Sequence, residues 1–204
     1  MILLPFAASS KDKKISETEW QAWSAAKFDS LKNDGMNVTE DGLQFVKIIS
    51  VPGLDKSKLY TKAMTAVSSL YNNGKLVVQN SDKAEGLIFG KASLYNEMPK
   101  MAWQVDAQFY YNHIIKIEIK DEKVRLTMLI TDYDFKLINK LNGETISQTE
   151  KPVTVFKFYP FGNKESSYKV KRLSFEMLIG CFDRTKSFMN AFVSEMQKKT
   201  NVDW

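Results

Sequence analysis

Cys181 and His113 are the only cysteine and the only histidine in this chain of 204 residues, so they form the one pairing that could supply a thiol nucleophile and its base. Thiol attack requires the thiolate and a base within hydrogen-bond reach. Cys181 falls on the apolar stripe of a helical pattern, and His113 on the apolar side of an alternating strand pattern. Both are positions of packing residues, and buried free cysteine is generally inert. A second constellation is Asp132 and Asp134 in "TDYDF". Two residues apart on a strand, the carboxylates project to one side and could face a hard cation such as magnesium or calcium. Two ligands are too few for such a site, and the plainer reading is a solvated strand end. The sequence contains no Walker loop, no dinucleotide glycine fingerprint after a strand, no HExxH and no CxxC. No cofactor, no metal and no enzymatic activity are therefore expected.

These side chains are positioned by elements whose periodicities are readable. "SETEWQAWSAAKFDSLKNDG" opens with a capping-box pattern, Ser16 with Glu19, and predicts a helix over 17–33 that Gly35 stops. Trp20 and Trp23 on that helix are expected to dock it on the body of the protein, with a stacking platform for a ligand as the alternative. "QFVKIISV" reads as a strand covered on both faces or central in a sheet, ended by Pro52 and Gly53. If Asp55 is an N-cap, Leu54 and Leu59 have the spacing of a hydrophobic staple, and a helix follows to "NNG" at 72–74. An anion at that helix start is discounted because Asp55 already occupies the place.

"LVVQNSDKAEGLIFGKASLY" predicts two strands joined by a turn at Asp82 to Gly86. "FYYNHIIKIEIKDEKVRLTMLITDYDF" predicts a hairpin turning at 121–123, with Tyr111, His113, Ile115, Ile117 and Ile119 on one face. Asn112, Lys116, Glu118 and Lys120 lie on the other. The segment 136–165 carries the turn signals "NGE" and "YPFGN" around "VTVFKFY", read as an inserted loop, strand or hairpin. A long helical pattern, best over 173–199, carries Cys181, Thr185, Phe192 and Met196 on its apolar stripe.

From residue 44 the order is β-α-β-β-β-β-α. Helices with one apolar stripe must bury it against the sheet, so the expected fold class is α+β: an antiparallel sheet with helices packed on one face, plus an extra N-terminal helix. The expected organisation is 1–15 as a disordered stretch or remnant of an export signal, 16–43 as helix and linker, and 44–200 as a single domain. Hydrophobic residues make up 44% and charged residues 26%, the mix of a folding globular chain. Lys plus Arg total 29 against 24 Asp plus Glu, for a net charge of +5 without a basic run, a weak pointer to an acidic partner. One cysteine excludes an internal disulfide framework and leaves the compartment open. No apolar run reaches the roughly 20 residues that cross a bilayer, so the body is not expected to span a membrane. Residues 2–8 read either as the tail of a secretory h-region lacking its basic start or as a frayed terminus.

"FVKIISVPGLDKSKLYTKA" and "SDKAEGLIFGKA", over about residues 44–135, resemble a bacterial family of unknown function numbered four-four-six-eight, described as having a fold like the TATA-box-binding protein (TBP). The resemblance implies secreted or envelope proteins of gut bacteria, which favours export and a secreted, periplasmic or cell-envelope location for this chain. It brings no activity and no catalytic residues, and it leaves the tryptophan-bearing helix and the segment after 136 unexplained. The expected function is a non-catalytic exported binding or assembly module whose partner is another protein or an envelope component. The surface would be the sheet face without helices, with Trp103, Tyr110 and Tyr111 as candidate anchors. The alternative is nucleic-acid binding by the open face, with basic side chains and apolar wedges. Against it, the basic residues form only small groups, such as Lys169, Lys171 and Arg172, and Glu118 and Glu122 sit among the strand lysines. An unrecognised hydrolase is third.

Overall fold

The computed structural model describes residues 16–71, 78–102, 105–139, 141–162 and 164–198. The first helix, α1 (Glu17–Asn33), begins at the expected capping box: the Glu19 amide donates to Ser16 Oγ, and the Ser16 amide donates to the Glu19 carboxylate at 2.8 Å. β1 (Met36–Val38) and β2 (Leu43–Ser50) follow, then α2 (Lys56–Leu70), β3 (Val78–Asp82), β4 (Leu87–Ala102), β5 (Val105–Lys120) and β6 (Lys123–Asn139). After these come β7 (Thr145–Gln148), β8 (Val153–Thr154), a 3-10 turn (Val155–Lys157) and α3 (Tyr168–Gln197). The eight strands form one antiparallel sheet in the order β1-β2-β6-β5-β4-β3, with β7 and β8 pairing the outer edge of β6 beyond β2. The fold is α+β with the helices beside the sheet and an extra N-terminal helix, as the sequence predicts.

Strand alternation sends one set of side chains under the helices. On β5 this set is Ala107, Phe109, Tyr111, His113, Ile115, Ile117 and Ile119, all buried. On β6 it is Val124, Leu126, Met128 and Ile130, and then Tyr133. The parity changes there because Thr131 is an extra residue: His113 pairs Ile130 while Asn112 pairs Asp132. A one-residue bulge turns the following side chains to the opposite face. It thereby restores Tyr133 to the core and places Asp132 and Asp134 on the other side.

Against this layer pack Leu59, Ala63, Ala66 and Val67 of α2, together with Phe175, Leu178, Cys181, Thr185, Phe192 and Met196 of α3. Gly180 permits close approach of α3, since a Cβ there would lie 2.7 Å from Asn96 Nδ2 and 3.1 Å from Tyr111 Oη. Gly42, at φ +152°, lets the β1–β2 turn lie against β6, where a Cβ would sit 2.1 Å from the Ile130 carbonyl oxygen.

α1 lies against α3. Trp20 is buried among Tyr159, Tyr168 and Phe175, with ring centroids 5.3, 5.5 and 6.1 Å away, and Trp23 meets Phe175 edge-on at 5.8 Å. Glu17 pairs Lys171 at 3.4 Å and Asp34 pairs Lys186 at 2.9 Å, tying both ends of the helix. The tryptophans are docking residues, the first of the two expected roles. β6 runs past the expected end of its hairpin to Asn139 and turns at "NGE" into β7, so the front of the 136–165 segment extends the sheet. "VTVFKFY" forms only a two-residue strand followed by a 3-10 turn. Residues 1–15 and the "NNG" stop at 72–74 lie outside the described residues.

Candidate functional site

The strand–turn–helix corner at 50–58 is closed by the chain itself. The amide of Lys58 donates to Asp55 Oδ1 at 2.8 Å and holds that carboxyl below its ordinary range. The Lys56 amide donates to Asp121 Oδ1 at 2.8 Å, and the Gly53 amide to Glu122 Oε1 at 2.9 Å. Two backbone bonds, Val51 N to Glu122 O and Glu122 N to Leu54 O, join this corner to the β5–β6 turn. Glu122 adopts φ +59°, a left-handed conformation costly for a side chain other than glycine or asparagine. The free amides that would attract an anion are occupied, by Asp55 as predicted and by Asp121, which comes from 65 residues away.

The proposed thiol–imidazole pair is not assembled. His113 Nε2 lies 2.6 Å from Tyr71 Oη and Nδ1 lies 3.3 Å from the Tyr111 carbonyl. A carbonyl only accepts, so Nδ1 carries the proton and Nε2 accepts from the tyrosine hydroxyl. Burial pushes the imidazole down to about 4, which keeps it neutral at physiological pH. Burial pushes the Cys181 thiol up, away from the thiolate. Phe188, 4.8 Å from the Tyr71 ring, closes this corner of the core.

The remaining candidate is the face of the sheet opposite the helices. Tyr110 lies on it, 36% exposed, with its ring 5.4 Å from that of Tyr95, which is 40% exposed. Tyr111 is a correction: strand alternation puts it on the helix side, fully buried, with Oη donating to the Met177 carbonyl at 3.1 Å. Trp103 lies outside the described residues. Tyr95, which the sequence reading did not single out, takes the place beside Tyr110 because the register pairs the two directly. Only that register could have revealed it.

Elsewhere on this face Val46 is 43% exposed and Ile48 63%, with half-buried Phe89, Ile114 and Leu129 between them and the tyrosines. Asp132 and Asp134 do point the same way. The amide of Asn112 lies between them, donating to Asp132 Oδ1 at 2.6 Å and to Asp134 Oδ2 at 2.8 Å. Ser93 donates to Asn112 Oδ1, Thr131 to Asp132 at 2.6 Å, and Thr149 to Asp134 at 3.1 Å. The carboxylates are held by neutral donors. Among the described residues no group of three His, Cys, Asp or Glu could hold a metal ion.

Charge on the face is divided. The half nearer the β5–β6 turn carries Lys91, Lys116, Lys120, Lys123 and Arg125 against Asp82 and Glu118, five cations to two anions. Among the described residues the other half carries Glu97, Asp106, Asp132 and Asp134 against Lys136, four anions to one cation. Glu118 bridges Lys116 at 3.2 Å and Arg125 at 3.5 Å. A shallow depression between Ile48 and the hairpin is lined by Glu118, Lys120, Lys123, Val124 and Arg125. Among the described residues no helix is long and apolar enough to cross a membrane.

Residues 45–133 match the family described as a domain of unknown function (DUF4468) with TBP-like fold. A TBP-like protein from Parabacteroides distasonis superposes with a TM-score of 0.55 at 8% identity, over 79% of this chain and 96% of that one. A DUF4468 family protein from Bacteroides ovatus superposes with a TM-score of 0.50 at 14% identity, over 81% and 92%. The family resemblance read from the sequence is thus shown over 45–133, and at these identities the solved structures speak for the fold alone. No curated protein matches the sequence.

Proposed function

We propose that the protein is a non-catalytic binding or assembly module that works through the open face of its sheet. The observation that carries this reading is that one uncovered face holds exposed Val46 and Ile48 towards one end and the Tyr95–Tyr110 pair towards the other, with half-buried Phe89, Ile114 and Leu129 between them. Flanking charges would set orientation and exclude wrong partners. The groups with reactive potential support the same reading. His113 is neutral and saturated with bonds, Cys181 is buried, and the aspartate pair is bridged by Asn112.

Nucleic acid fits this face poorly. Among the described residues six cations stand against six anions across it, whereas phosphate-driven binding needs an excess of positive charge on the contact surface. Export belongs to the proposal, on the strength of the apolar residues 2–8 followed by small residues. Mass spectrometry of the native N-terminus tests it: a start beyond the apolar run supports export, and retention of Met1 contradicts it.

A photo-crosslinking amino acid at Tyr110 tests the binding reading in the source cells, with Asp183 on the exposed side of α3 as the control position. One discrete adduct from position 110 and none from 183 is expected. No adduct from either position, or equal adducts from both, overturns it.

A further inference from the structure

The open face is electrically self-complementary, and its symmetry selects an occupant. Its rows run from Lys123 and Lys120 at one end to Ile138 and Asp106 at the other. The change from net positive to net negative falls between the row of Leu129, Ile114 and Lys91 and the row of Asp132, Asn112 and Ser93. That boundary lies midway along the face, and its positive side is apolar at Leu129 and Ile114. A two-fold axis running along the strands would stack like charge on like. A two-fold axis crossing the strands at the boundary reverses the strand direction, placing the basic half of each copy over the acidic half of the other. Lys120 then faces Asp106 of the second copy, Lys116 lies over Tyr110 beside Asp134, and Phe89 faces Tyr95. Ile114 and Leu129 face Asn112 and Asp132 next to the axis, and Arg125 lies over Lys136.

We infer that the partner on this face is a second copy of the chain, stacked face to face in an isologous dimer. The inference rests on the binding role proposed for the face. Strands β4, β5 and β6 are 16, 16 and 17 residues long, and with the 8 residues of β2 beside them the usual strand spacing and rise give the face roughly 900 Å². A stable standard interface covers about 800 Å² per partner, so the face is near the size required. Burying Val46, Tyr95 and Tyr110 would supply the apolar contribution, and the charge pattern would fix the orientation.

The test is a charge exchange read by sedimentation velocity on the purified protein, from low micromolar to sub-millimolar concentration. The unmodified chain is expected to form a dimer that added salt weakens. Lys120→Glu with Lys123→Glu makes both halves acidic, and Glu97→Lys with Asp106→Lys makes both halves basic. Each double variant is expected to be monomeric, with unchanged circular dichroism, because the substituted positions lie on the open face. An equimolar mixture of the two is expected to regain the dimer, since each acidic half now meets a basic one.

A monomer at every concentration, or dimers that survive both double variants, overturns the inference, as does a mixture that stays monomeric. If the pure protein is monomeric and position 110 still crosslinks to a different protein in cells, only the identity of the occupant fails. If position 110 crosslinks to nothing, the binding reading fails with it.

Discussion

The two faces of β5 are built from alternate residues of one strand and have opposite fates. On the helix side Tyr111 and His113 are polar, yet both are buried with their hydrogen bonds made within the fold. On the other side Tyr110 and Asn112, their chain neighbours, stay at the surface or half-buried beside charged residues. The difference lies in what covers each face. α2 and α3 remove water from one side, so any polar group there must find a protein partner. On the other side water can serve, and exposed apolar groups that gain nothing for stability call for a different explanation.

The comparison breaks first at the covered face. Phe45 is buried against Phe182, ring centroids 5.8 Å apart, and Phe45→Ala is expected to cost about 3 to 5 kcal/mol in urea unfolding. The pH dependence of stability comes next. His113 titrates near 4 when folded, below the ordinary 6.5 of the unfolded chain, so the unfolded state binds the proton first as pH falls. Its contribution is complete above 6.5 and is lost progressively down to about 4, roughly 3 kcal/mol in all. Stability measured across this window should show that slope, and His113→Phe should flatten it.

Gly42→Ala follows at about 2 to 3 kcal/mol, because the new methyl meets the Ile130 carbonyl, which is held in the β2–β6 ladder. Smallest is Ile48→Ser on the open face, expected to shift stability by less than about 0.5 kcal/mol. A large loss there would show that Ile48 belongs to the folding core, and the contrast between the faces would disappear.

Much of this was legible in the chain. The capping box at Ser16, the alternation from Tyr111 to Ile119 and the stripe through Cys181 are local patterns set by bond geometry, and their elements formed there, although α3 spans Tyr168–Gln197 where the pattern is best over 173–199. What depends on register was not legible. The Thr131 bulge, Asn112 between two aspartates, Asp121 on the Lys56 amide and Tyr95 beside Tyr110 all join residues separated along the sequence. Tyr111 shows the boundary plainly. Its parity with His113 and Ile115 was visible and placed it on the apolar face, while its aromatic type suggested an anchor. Parity governs, because the pleat leaves one direction for each side chain. The 136–165 segment was obscure because its first strand only continues β6 and its later residues alternate without forming a longer strand.

The account stands on the open face being occupied when the protein works. Hydroxyl-radical footprinting compares side-chain oxidation in the source cells with that in dilute purified protein. Ile48, Tyr95 and Tyr110 should be protected in cells, while Val170, exposed on α3, reacts equally in both. Equal oxidation of all four in cells and in dilute solution would contradict it.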